Sequence, residues 1–407
     1  MKIGIEKINL YAGRLCTDAV HLAQARGKAP DHAREQVMVE TRSVMPVWED
    51  AVTLAVNAAQ RILTPEDLRD IELLIVGTES AVDFSKPIST WVHRLCQLPV
   101  NCRNFEVKHA CYSGTAALKM ALMWVAAGVR PGKKALVISS DYSRMDLEEG
   151  FDFIGGGCAV AMLVSADPQI LAIDLAEAGY WTHEIADTFR PTSTVERADN
   201  QTSLYSYLDA LEGAFEHFEK ILGAVDYLKD FKKHIYHAPF PGMALQAHRT
   251  LLSRLEVTGK AAVRDSFDQK VVESIYFAKQ IGTAYGASNF VSLLGLLQRA
   301  SDLQAGDYIS IFAYGSGCQG EFYRAQIGPG AKDYVQRLDL DRHLHERYPL
   351  SLEQYETLER ERWTFIDKPD YIPRHEGLAW AYDKLYRNQG LLVLKGVEQY
   401  HRTYDWS

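Results

Sequence analysis

The strongest constraint on how this chain folds is an alternation of apolar runs of strand length with longer helical runs, which occurs twice. In the first part, residues 70–77 (DIELLIVG) and 134–140 (KALVISS) have the length and composition of buried strands, and residues 110–127 between them have those of a helix. In the second part, the helical run at 289–299 precedes a strand-like run at 307–314. Two successive sets of this kind predict an α/β fold with a duplicated core.

The composition is that of a folded, acidic protein. Apolar residues make up 47% of the 407 residues and charged residues 24%, which are ordinary globular values and exclude a disordered chain. With 44 basic and 53 acidic residues the formal charge is −9, which argues against nucleic acid as a partner. Residues 339–374 are rich in charged and aromatic side chains, and they predict a solvated helical excursion from the core.

The sequence shows no membrane or export segment. No stretch approaches the roughly 18 uninterrupted apolar residues of a membrane span. The first residues, MKIGIEKINLYAG, carry charges and lack the apolar segment of a secretory signal. We therefore expect a cytoplasmic protein without a membrane partner.

The cysteines raise the question of a nucleophile. They form no C-x-x-C pair, so a zinc ribbon or a thioredoxin-type motif is not expected, and they are too sparse for a disulfide scaffold. The six are Cys16, Cys96, Cys102, Cys111, Cys158 and Cys318.

Cys111 lies where an extended run, residues 105–110, gives way to the predicted helix. A thiol at a helix N-terminus meets the positive end of the helix dipole and free backbone N–H groups, which should lower its pKa and favour the thiolate. The small residues at 113–117 leave room for an acyl group. The alternative is a buried structural cysteine. The position makes Cys111 a candidate nucleophile.

Glu79 follows the predicted strand 70–77 directly. Open α/β sheets place ligand sites beyond the carboxyl ends of their strands. Partial burial there would raise the pKa of Glu79 and suit the carboxylate to proton transfer, whereas a simple turn carboxylate is the alternative.

His237 lies in the sequence HIYHAPFPG, behind a short predicted strand, in a loop that two prolines and a glycine make rigid. Histidine titrates near neutral pH, so it could donate a hydrogen bond to a carbonyl or carry a proton. A structural histidine is again the alternative, and His234 has the weaker claim because it falls inside the strand.

The sequence GSGCQG at 315–320 matches the pattern G-x-G-x-x-G after a strand. A dinucleotide site would require a helix next, but residues 321–327 alternate like a strand. We interpret the segment as a tight loop whose backbone N–H groups and Ser316 hydroxyl line a pocket.

Together these segments resemble one known family. The run EVKHACYSGTAAL around Cys111 resembles the nucleophile motif of 3-hydroxy-3-methylglutaryl-CoA synthases, and GTES at 77–80 resembles their acid/base motif. The run HAPF at 237–240 is similar to their histidine loop. Further similar segments are the glycine-rich residues 314–317 and 320–323, and, in the middle section, Asp187, residues 189–191 and residues 207–208. Several motifs in one order are more specific than any one alone.

The resemblance implies the thiolase fold, with two similar halves layered α/β/α/β/α in a homodimer. We expect an N-terminal half at residues 1–170, with Glu79 and Cys111, and a C-terminal half at residues 171–407, with His237 and the Ser316 loop.

The resemblance also implies an acyltransferase that forms a carbon–carbon bond. Cys111 would be acetylated by a thioester, Glu79 would remove a proton from the acetyl methyl group, and His237 would orient the acceptor ketone. Water would then cleave the enzyme thioester. The substrate-binding residues that it implies are Tyr207, Thr283, Gly315, Ser316 and Gly317.

Two departures narrow the substrate that the resemblance implies. The CoA enzymes continue the histidine loop with lysines that suit coenzyme A phosphates, whereas residues 241–246 here read PGMALQ. Thr283 stands where the family usually has asparagine. With WTHE at 181–184 and YHRTYDW at 400–406, the pattern resembles the polyketide subgroup, which takes acyl groups from acyl carrier proteins and installs β-branches.

The expected partners are therefore a donor and an acceptor acyl carrier protein of a polyketide synthase. We expect no permanently bound cofactor and no metal, since the phosphopantetheine arm of the carrier, or coenzyme A, brings the acyl group. Carrier proteins and this chain are both acidic, so docking requires a local basic patch. The candidate residues are Arg130, Lys133, Lys134, Lys229, Lys232, Lys233 and Arg249.

Three alternatives remain at this point. The same chemistry could use acetyl-CoA and acetoacetyl-CoA, as in isoprenoid biosynthesis. A Cys–His thioester hydrolase would release free acid without an acceptor. An oxidoreductase would bind a dinucleotide at residues 315–320.

Overall fold

The computed structural model describes residues 2–144, 147, 150–223, 225–374 and 376–407. The strands in these residues are β1 (Gly4–Tyr11), β2 (Leu15–Asp18), β3 (Thr41–Val44), β4 (Ile71–Gly77), β5 (Arg103–Val107), β6 (Lys134–Tyr142), β7 (Gly157–Ser165), β8 (Leu171–Thr182), β9 (Thr188–Phe189), β10 (Arg197–Ala198), β11 (Lys233–Tyr236), β12 (Tyr308–Gly315), β13 (Gln319–Ile327), β14 (Tyr348–Pro349), β15 (Leu392–Glu398) and β16 (His401–Trp406). The helices are α1 (Ala19–Ala25), α2 (Ala51–Ala59), α3 (Pro65–Asp70), α4 (Ser89–Leu95), α5 (Ser113–Ala126), α6 (Asn200–Leu222), α7 (Met243–Arg254), α8 (Lys260–Lys270), α9 (Ala278–Ile281), α10 (Ser288–Arg299), α11 (Ala331–Leu338), α12 (Leu340–His345), α13 (Leu352–Phe365) and α14 (Ala379–Leu385).

The long strands form one continuous sheet in two parts. Their order is β11-β12-β13-β8-β1-β7-β6-β4-β5. The parts meet at β1 and β8, which pair only through Gly4 with Ala172 and Ile5 with Leu171. In the N-terminal part, β4 is parallel to both β5 and β6, so these three strands end at the same edge. In the C-terminal part, β11 is parallel to β12.

The central strands are buried on both faces, as near-continuous apolar runs require. Along β4, Leu73 and Ile75 join one apolar cluster, whereas Leu74 and Val76 join another. The alternation follows from the period of two in a strand. The first cluster lies between the two parts of the sheet and includes side chains of α5 and α10. The second covers the outer face of the N-terminal part and includes α2.

The outer face of the C-terminal part is covered by a third cluster. It contains side chains of α6, α7 and α8, together with Phe312 and Phe322 of the sheet. The layers are therefore α2, the N-terminal strands, α5 with α10, the C-terminal strands, and α6 with α7. The predicted five-layer α/β/α/β/α arrangement of the thiolase-like fold is confirmed.

The last part of the chain returns to the N-terminal half. Strand β14 pairs with β2, and Tyr355, Leu358 and Leu392 belong to the apolar cluster around α2. The prediction of a purely solvated excursion at 339–374 is therefore wrong. Helices do form there, but Tyr355 and Leu358 are buried and Glu359 is only 3% exposed. The boundary at residue 170 stays a prediction.

The predicted elements agree with the structure to within a few residues. Strand β4 begins one residue later than residues 70–77, and α10 begins one residue earlier than residues 289–299. Helix α5 begins at Ser113 rather than at residue 110, because Ala110 has a positive φ of 41° and the chain turns there. No helix of the described residues is both long and apolar enough to cross a membrane.

Candidate active site

Glu79 and Cys111 meet at the carboxyl-end edge of the N-terminal strands. The Cys111 Sγ–H group donates to Glu79 Oε1 at 3.6 Å. Both residues are half-buried, so neither is walled off from solvent. The pairing that the sequence predicted for a nucleophile and a base is present in the fold.

Gly77 explains how the two residues come together. A Cβ atom on Gly77 would lie 2.5 Å from the carbonyl oxygen of Ser113, so only glycine lets the end of β4 pack on the start of α5. Glu79 lies two residues after this contact and Cys111 two residues before it. The close approach therefore sets the separation of the thiol and the carboxylate.

The pKa of Cys111 is shifted upward, whereas the position near a helix N-terminus predicted a downward shift. Burial raises the pKa of the Cys111 thiol well above its usual value, and the carboxylates of Glu79 and Asp141 raise it further. Helix α5 begins at Ser113, so the thiol lies just outside its first turn. Burial and two nearby negative charges outweigh a partial dipole charge. The resting group is a thiol that donates a hydrogen bond.

The pKa of Glu79 is raised as predicted, to about 8. Burial is the main cause and the negative charge of Asp141 is the next, while the guanidinium of Arg190 acts in the opposite direction. A carboxyl group with such a pKa can both take and return a proton near neutral pH.

Asp141 holds the Glu79 turn in place, and the sequence reasoning missed it as a site residue. Its Oδ1 accepts from the backbone N–H of Glu79 at 2.8 Å, from that of Ser80 at 3.1 Å and from the Thr78 hydroxyl at 2.9 Å. Burial raises the pKa of Asp141 to about 6. An aspartate inside the buried end of β6 was the signal in the sequence that could have identified it.

Arg190 is a second residue near Glu79 that was not predicted to belong to the site. Its Nη1 donates to the Glu79 carbonyl oxygen at 3.1 Å, and its Nε donates to Glu196 at 3.1 Å. Arg190 lies on the loop between β9 and β10, and its guanidinium supplies a positive charge beside Glu79, the carboxyl group whose pKa is raised.

His237 follows β11 at the C-terminal part of the sheet. Its backbone N–H donates to Phe312 O at 2.7 Å, which fixes it beside β12. The ring is buried, and Nδ1 has no hydrogen-bond partner among the described residues. Burial lowers the pKa of His237 to about 3, so the expected titration near neutral pH does not occur. The imidazole is therefore neutral near pH 7, and its ring can offer a hydrogen bond.

Tyr207 lies behind His237. Its hydroxyl donates to the His237 carbonyl oxygen at 2.7 Å, and its side chain is 2% exposed. The ring packs against Phe312 and Tyr314. This arrangement gives Tyr207 a means of positioning the histidine loop, and a direct contact with substrate stays a prediction.

The glycine-rich segment at 315–320 forms the turn between β12 and β13, and it packs against the chain next to the nucleophile. A Cβ atom on Gly315 would lie 2.7 Å from the backbone nitrogen of Tyr112, so the loop packs on the chain next to Cys111. The N–H of Gly317 donates to Asp187 and that of Cys318 donates to the His183 carbonyl oxygen. Those two N–H groups are therefore not free for a ligand.

Strand β13, not a helix, follows this loop, which rules out the Rossmann arrangement that a dinucleotide site would need. Ser316 is partly exposed in the loop. Its contact with substrate, like those of Gly315 and Gly317, stays a prediction.

Thr283 is held by the close packing of its neighbour Gly282 on the segment at 154–155. Gly282 has a φ of +84°, and a Cβ atom there would lie 2.0 Å from the Gly155 carbonyl oxygen. The N–H of Thr283 donates to Ile154 O at 2.9 Å, and its side chain is 5% exposed. Among the described residues no hydrogen bond joins Thr283 to Glu79, Cys111 or His237, and its role in binding stays a prediction.

The layered fold places this protein in the thiolase-fold class of enzymes, and the paired thiol and carboxylate supply a nucleophile and a base of the kind that acyl transfer with carbon–carbon bond formation requires. The family described as hydroxymethylglutaryl-coenzyme A synthase N terminal matches residues 1–169, and the one described as hydroxymethylglutaryl-coenzyme A synthase C terminal matches residues 243–406. The chain belongs to the hydroxymethylglutaryl-CoA synthase family.

Individual relatives cover both subgroups. The polyketide biosynthesis 3-hydroxy-3-methylglutaryl-ACP synthase PksG of Bacillus subtilis (strain 168) is 34% identical over 99% of each chain. The hydroxymethylglutaryl-CoA synthase of Enterococcus faecalis is 33% identical over 88% of this chain and 91% of its own. The crystal structure of the curacin biosynthetic pathway HMG synthase in complex with acetyl donor-ACP has a TM-score of 0.95 and 35% identity, with both chains fully covered.

Proposed function

We propose that this enzyme adds an acetyl group, carried as acetyl-Cys111, to the β-ketone of a β-ketoacyl-acyl carrier protein in polyketide biosynthesis. The acetyl group comes from an acetyl-acyl carrier protein, and hydrolysis leaves a 3-hydroxy-3-methylglutaryl-type β-branch. The observation that carries the proposal is the 3.6 Å contact between Cys111 Sγ and Glu79 Oε1 in a partly open site.

Loading is the first step. Cys111 Sγ forms a bond to the acetyl carbonyl carbon, and the bond from that carbon to the carrier sulfur breaks. The thiol proton passes to the departing carrier sulfur, because the raised pKa of Cys111 keeps it protonated until attack. The products are acetyl-Cys111 and the free carrier thiol.

Condensation is the second step, and it depends on Glu79. The Glu79 carboxylate takes a proton from the acetyl methyl group, and the resulting carbon nucleophile adds to the β-ketone of the acceptor. The ketone oxygen becomes an alkoxide, and Glu79 gives it the proton that was taken from the methyl group. Neutral His237 donates a hydrogen bond to that oxygen as charge develops there.

Hydrolysis completes the cycle. Water adds to the thioester carbonyl at Cys111, the carbon–sulfur bond breaks and the thiol is regenerated. The former acetyl group becomes a carboxymethyl branch on the acceptor, which stays on its carrier protein.

Helix α7 favours a carrier protein over free coenzyme A. The helix begins at Met243, Met243 and Ala244 are buried, and residues 241–246 themselves supply no lysine where the histidine loop leads into the helix. A nucleotide phosphate there would lack charge-assisted partners. Two relatives are named for carrier-protein chemistry or were crystallised with a donor carrier protein, which supports the same assignment.

Most of the candidate docking residues are paired within the chain. Arg130 donates to Glu72, and Lys233 lies between Glu273 and Asp302 with 2% exposure. The remaining pairs are Lys133 with Asp70, Lys134 with Glu6 and Asp67, Lys229 with Asp226, and Lys232 with Asp302. Arg249 is exposed and has no ion-pair partner among the described residues. Arg249 is thus the strongest of the candidates for contact with an acidic carrier.

A homodimer also belongs to this proposal. Strand β5 ends the sheet, and in the described residues it pairs only with β4. An open edge of this kind suits pairing with a second chain. The cytoplasmic location stays a prediction.

A comparison of acyl donors tests the proposal. The protein is incubated with acetyl-carrier protein or acetyl-CoA at equal concentration, and the mass of the peptide that contains Cys111 is measured. We expect faster acetylation from the carrier protein, and then a branched product on addition of a β-ketoacyl-carrier protein. No adduct at Cys111, or free acid released at the same rate without an acceptor, would contradict the synthase.

The second candidate is a synthase for acetyl-CoA and acetoacetyl-CoA. The Enterococcus relative favours it, since its identity to this chain is close to that of PksG. Equal or faster acetylation by acetyl-CoA in the same experiment would support this candidate.

A further inference from the structure

A buried ion pair joins the nucleophile helix to the other half of the molecule. Lys119 Nζ on α5 lies 2.8 Å from Glu321 Oε1 on β13, and the two side chains are 9% and 1% exposed. The two groups are close, but their hydrogen bond is poorly aligned. The Lys119 ammonium also lies 3.9 Å from the centre of the Tyr323 ring. A buried ion pair often adds no stability over well-packed apolar residues, so stability alone does not account for this one.

The second oxygen of the same carboxylate reaches the residue beside Cys111. The Tyr112 hydroxyl donates to Glu321 Oε2 at 2.5 Å. Tyr112 immediately precedes α5 and Lys119 lies seven residues later, about two helical turns, so both side chains can reach the same carboxylate. Glu321 therefore holds this helix at its start and again two turns later.

Glu321 is also linked to His237. On β13 it pairs with Ala313 of β12, and the neighbouring Phe312 carbonyl accepts the backbone N–H of His237. Through its carboxylate Glu321 thus contacts the side chain next to the nucleophile, and through its backbone it pairs with the strand that fixes His237. Glu79, by contrast, contacts Cys111 directly, and both residues belong to the N-terminal half.

We propose that Glu321, held in place by Lys119, is a positioning residue that aligns acetyl-Cys111 with an acceptor bound at His237. The proposal rests on the proposed function above. Loading and removal of the methyl proton involve Cys111 and Glu79, which lie on one side of this link. Condensation requires alignment across it, and a misplacement of about 1 Å can cost about 100-fold in rate.

Three measurements separate these steps. They are the mass of acetyl-Cys111, the uptake of deuterium from D2O into its methyl group, and the formation of branched product from a β-ketoacyl-carrier protein. The thermal midpoint of each variant is measured as well, because a positioning role and a loss of folding predict different results.

The variants avoid a lone buried charge. Tyr112→Phe removes the hydrogen bond, and the double variant Lys119→Met/Glu321→Leu removes both charges and the acceptor oxygen. The double variant Lys119→Met/Glu321→Gln removes the charges but keeps an oxygen for Tyr112. The matched control is Arg324→Met/Glu177→Gln, which neutralises another ion pair of β13 and β8.

We expect Tyr112→Phe and Lys119→Met/Glu321→Leu to form product about 100-fold more slowly, with loading and deuterium uptake within about threefold of wild type. Lys119→Met/Glu321→Gln should recover most of the product rate, and the control should match wild type in all three steps. Unchanged product formation in the first two variants, or an equal fall in all three steps, would overturn the positioning role. If wild type itself does not acetylate Cys111, the proposed function fails and this inference fails with it.

Discussion

The site is charged around Glu79 in the N-terminal half and neutral around His237 in the C-terminal half. Glu79 is half-buried next to the fully buried Asp141, and their pKa values rise to about 8 and about 6. His237 is surrounded by the rings of Tyr207 and Tyr314, and burial lowers its pKa to about 3. The first region can exchange protons near neutral pH, whereas the second can only bind and orient a polar group.

The largest effect should come from the nucleophile on the charged side. Cys111→Ala removes the atom that carries the acetyl group, so we expect complete loss of covalent loading and of product. Mass spectrometry after incubation with acetyl-carrier protein checks this. The control is Cys96→Ala, which removes another buried thiol outside the site and should load normally. Loading in Cys111→Ala would mean that another residue is the nucleophile.

The next effect should come from the base. Glu79→Gln keeps an oxygen for the Cys111 thiol but cannot take the methyl proton, so condensation should fall by about 10²–10⁴-fold while acetylation falls much less. Product formation and the acetyl-enzyme mass are measured on the same sample. Normal condensation in this variant would show that Glu79 is not the base.

A smaller loss is expected on the neutral side. His237→Ala removes a hydrogen bond to the developing alkoxide, so product formation should fall by about 10²-fold. Deuterium uptake into the acetyl methyl group should persist, since it depends on Glu79. An equal loss of deuterium uptake and of product would contradict the separate roles proposed for Glu79 and His237.

Asp141→Asn tests the charge beside Glu79. Asparagine keeps an oxygen for the three donors that Asp141 binds, but it removes the negative charge that raises the pKa of Glu79. The base works when deprotonated, so activity rises with pH through its pKa. We expect this rise to move to lower pH by about one unit in the variant. A shift to higher pH would contradict the electrostatic role of Asp141.

The smallest effects are on stability, and they have opposite signs in the two regions. The pKa of Glu79 is higher in the folded chain than its usual 4.5, so stability is lost as pH rises from about 4.5 to about 8. The pKa of His237 is lower than its usual 6.5, so stability is lost as pH falls from about 6.5 to about 3.

Glu79→Gln should therefore gain in thermal midpoint over wild type as pH rises, and His237→Gln should gain as pH falls. Unfolding curves at pH 5 and pH 8 check both. The same pH trend in both variants would show that the two regions do not differ in this way.

Much of the fold follows from short-range patterns. The runs that form β4 and α10 are visible because burial of both faces of a strand demands continuous apolar residues, and because a helix has its own period. Cys111, Glu79 and His237 were identifiable from their positions at the ends of such elements. The pKa of Cys111 was not, since it is raised by burial and by two carboxylates, one just after β4 and one in β6, that only the folded chain brings to the thiol.

The sequence alone determined the order of strands and helices, the family and the three principal candidate residues. The tertiary structure decided what surrounds them, including Asp141 behind Glu79, Tyr207 behind His237 and the pair of Lys119 with Glu321. The reason is physical: periodicity and turn chemistry act between neighbours in the chain. Burial and charge act through distances between residues that lie far apart in sequence.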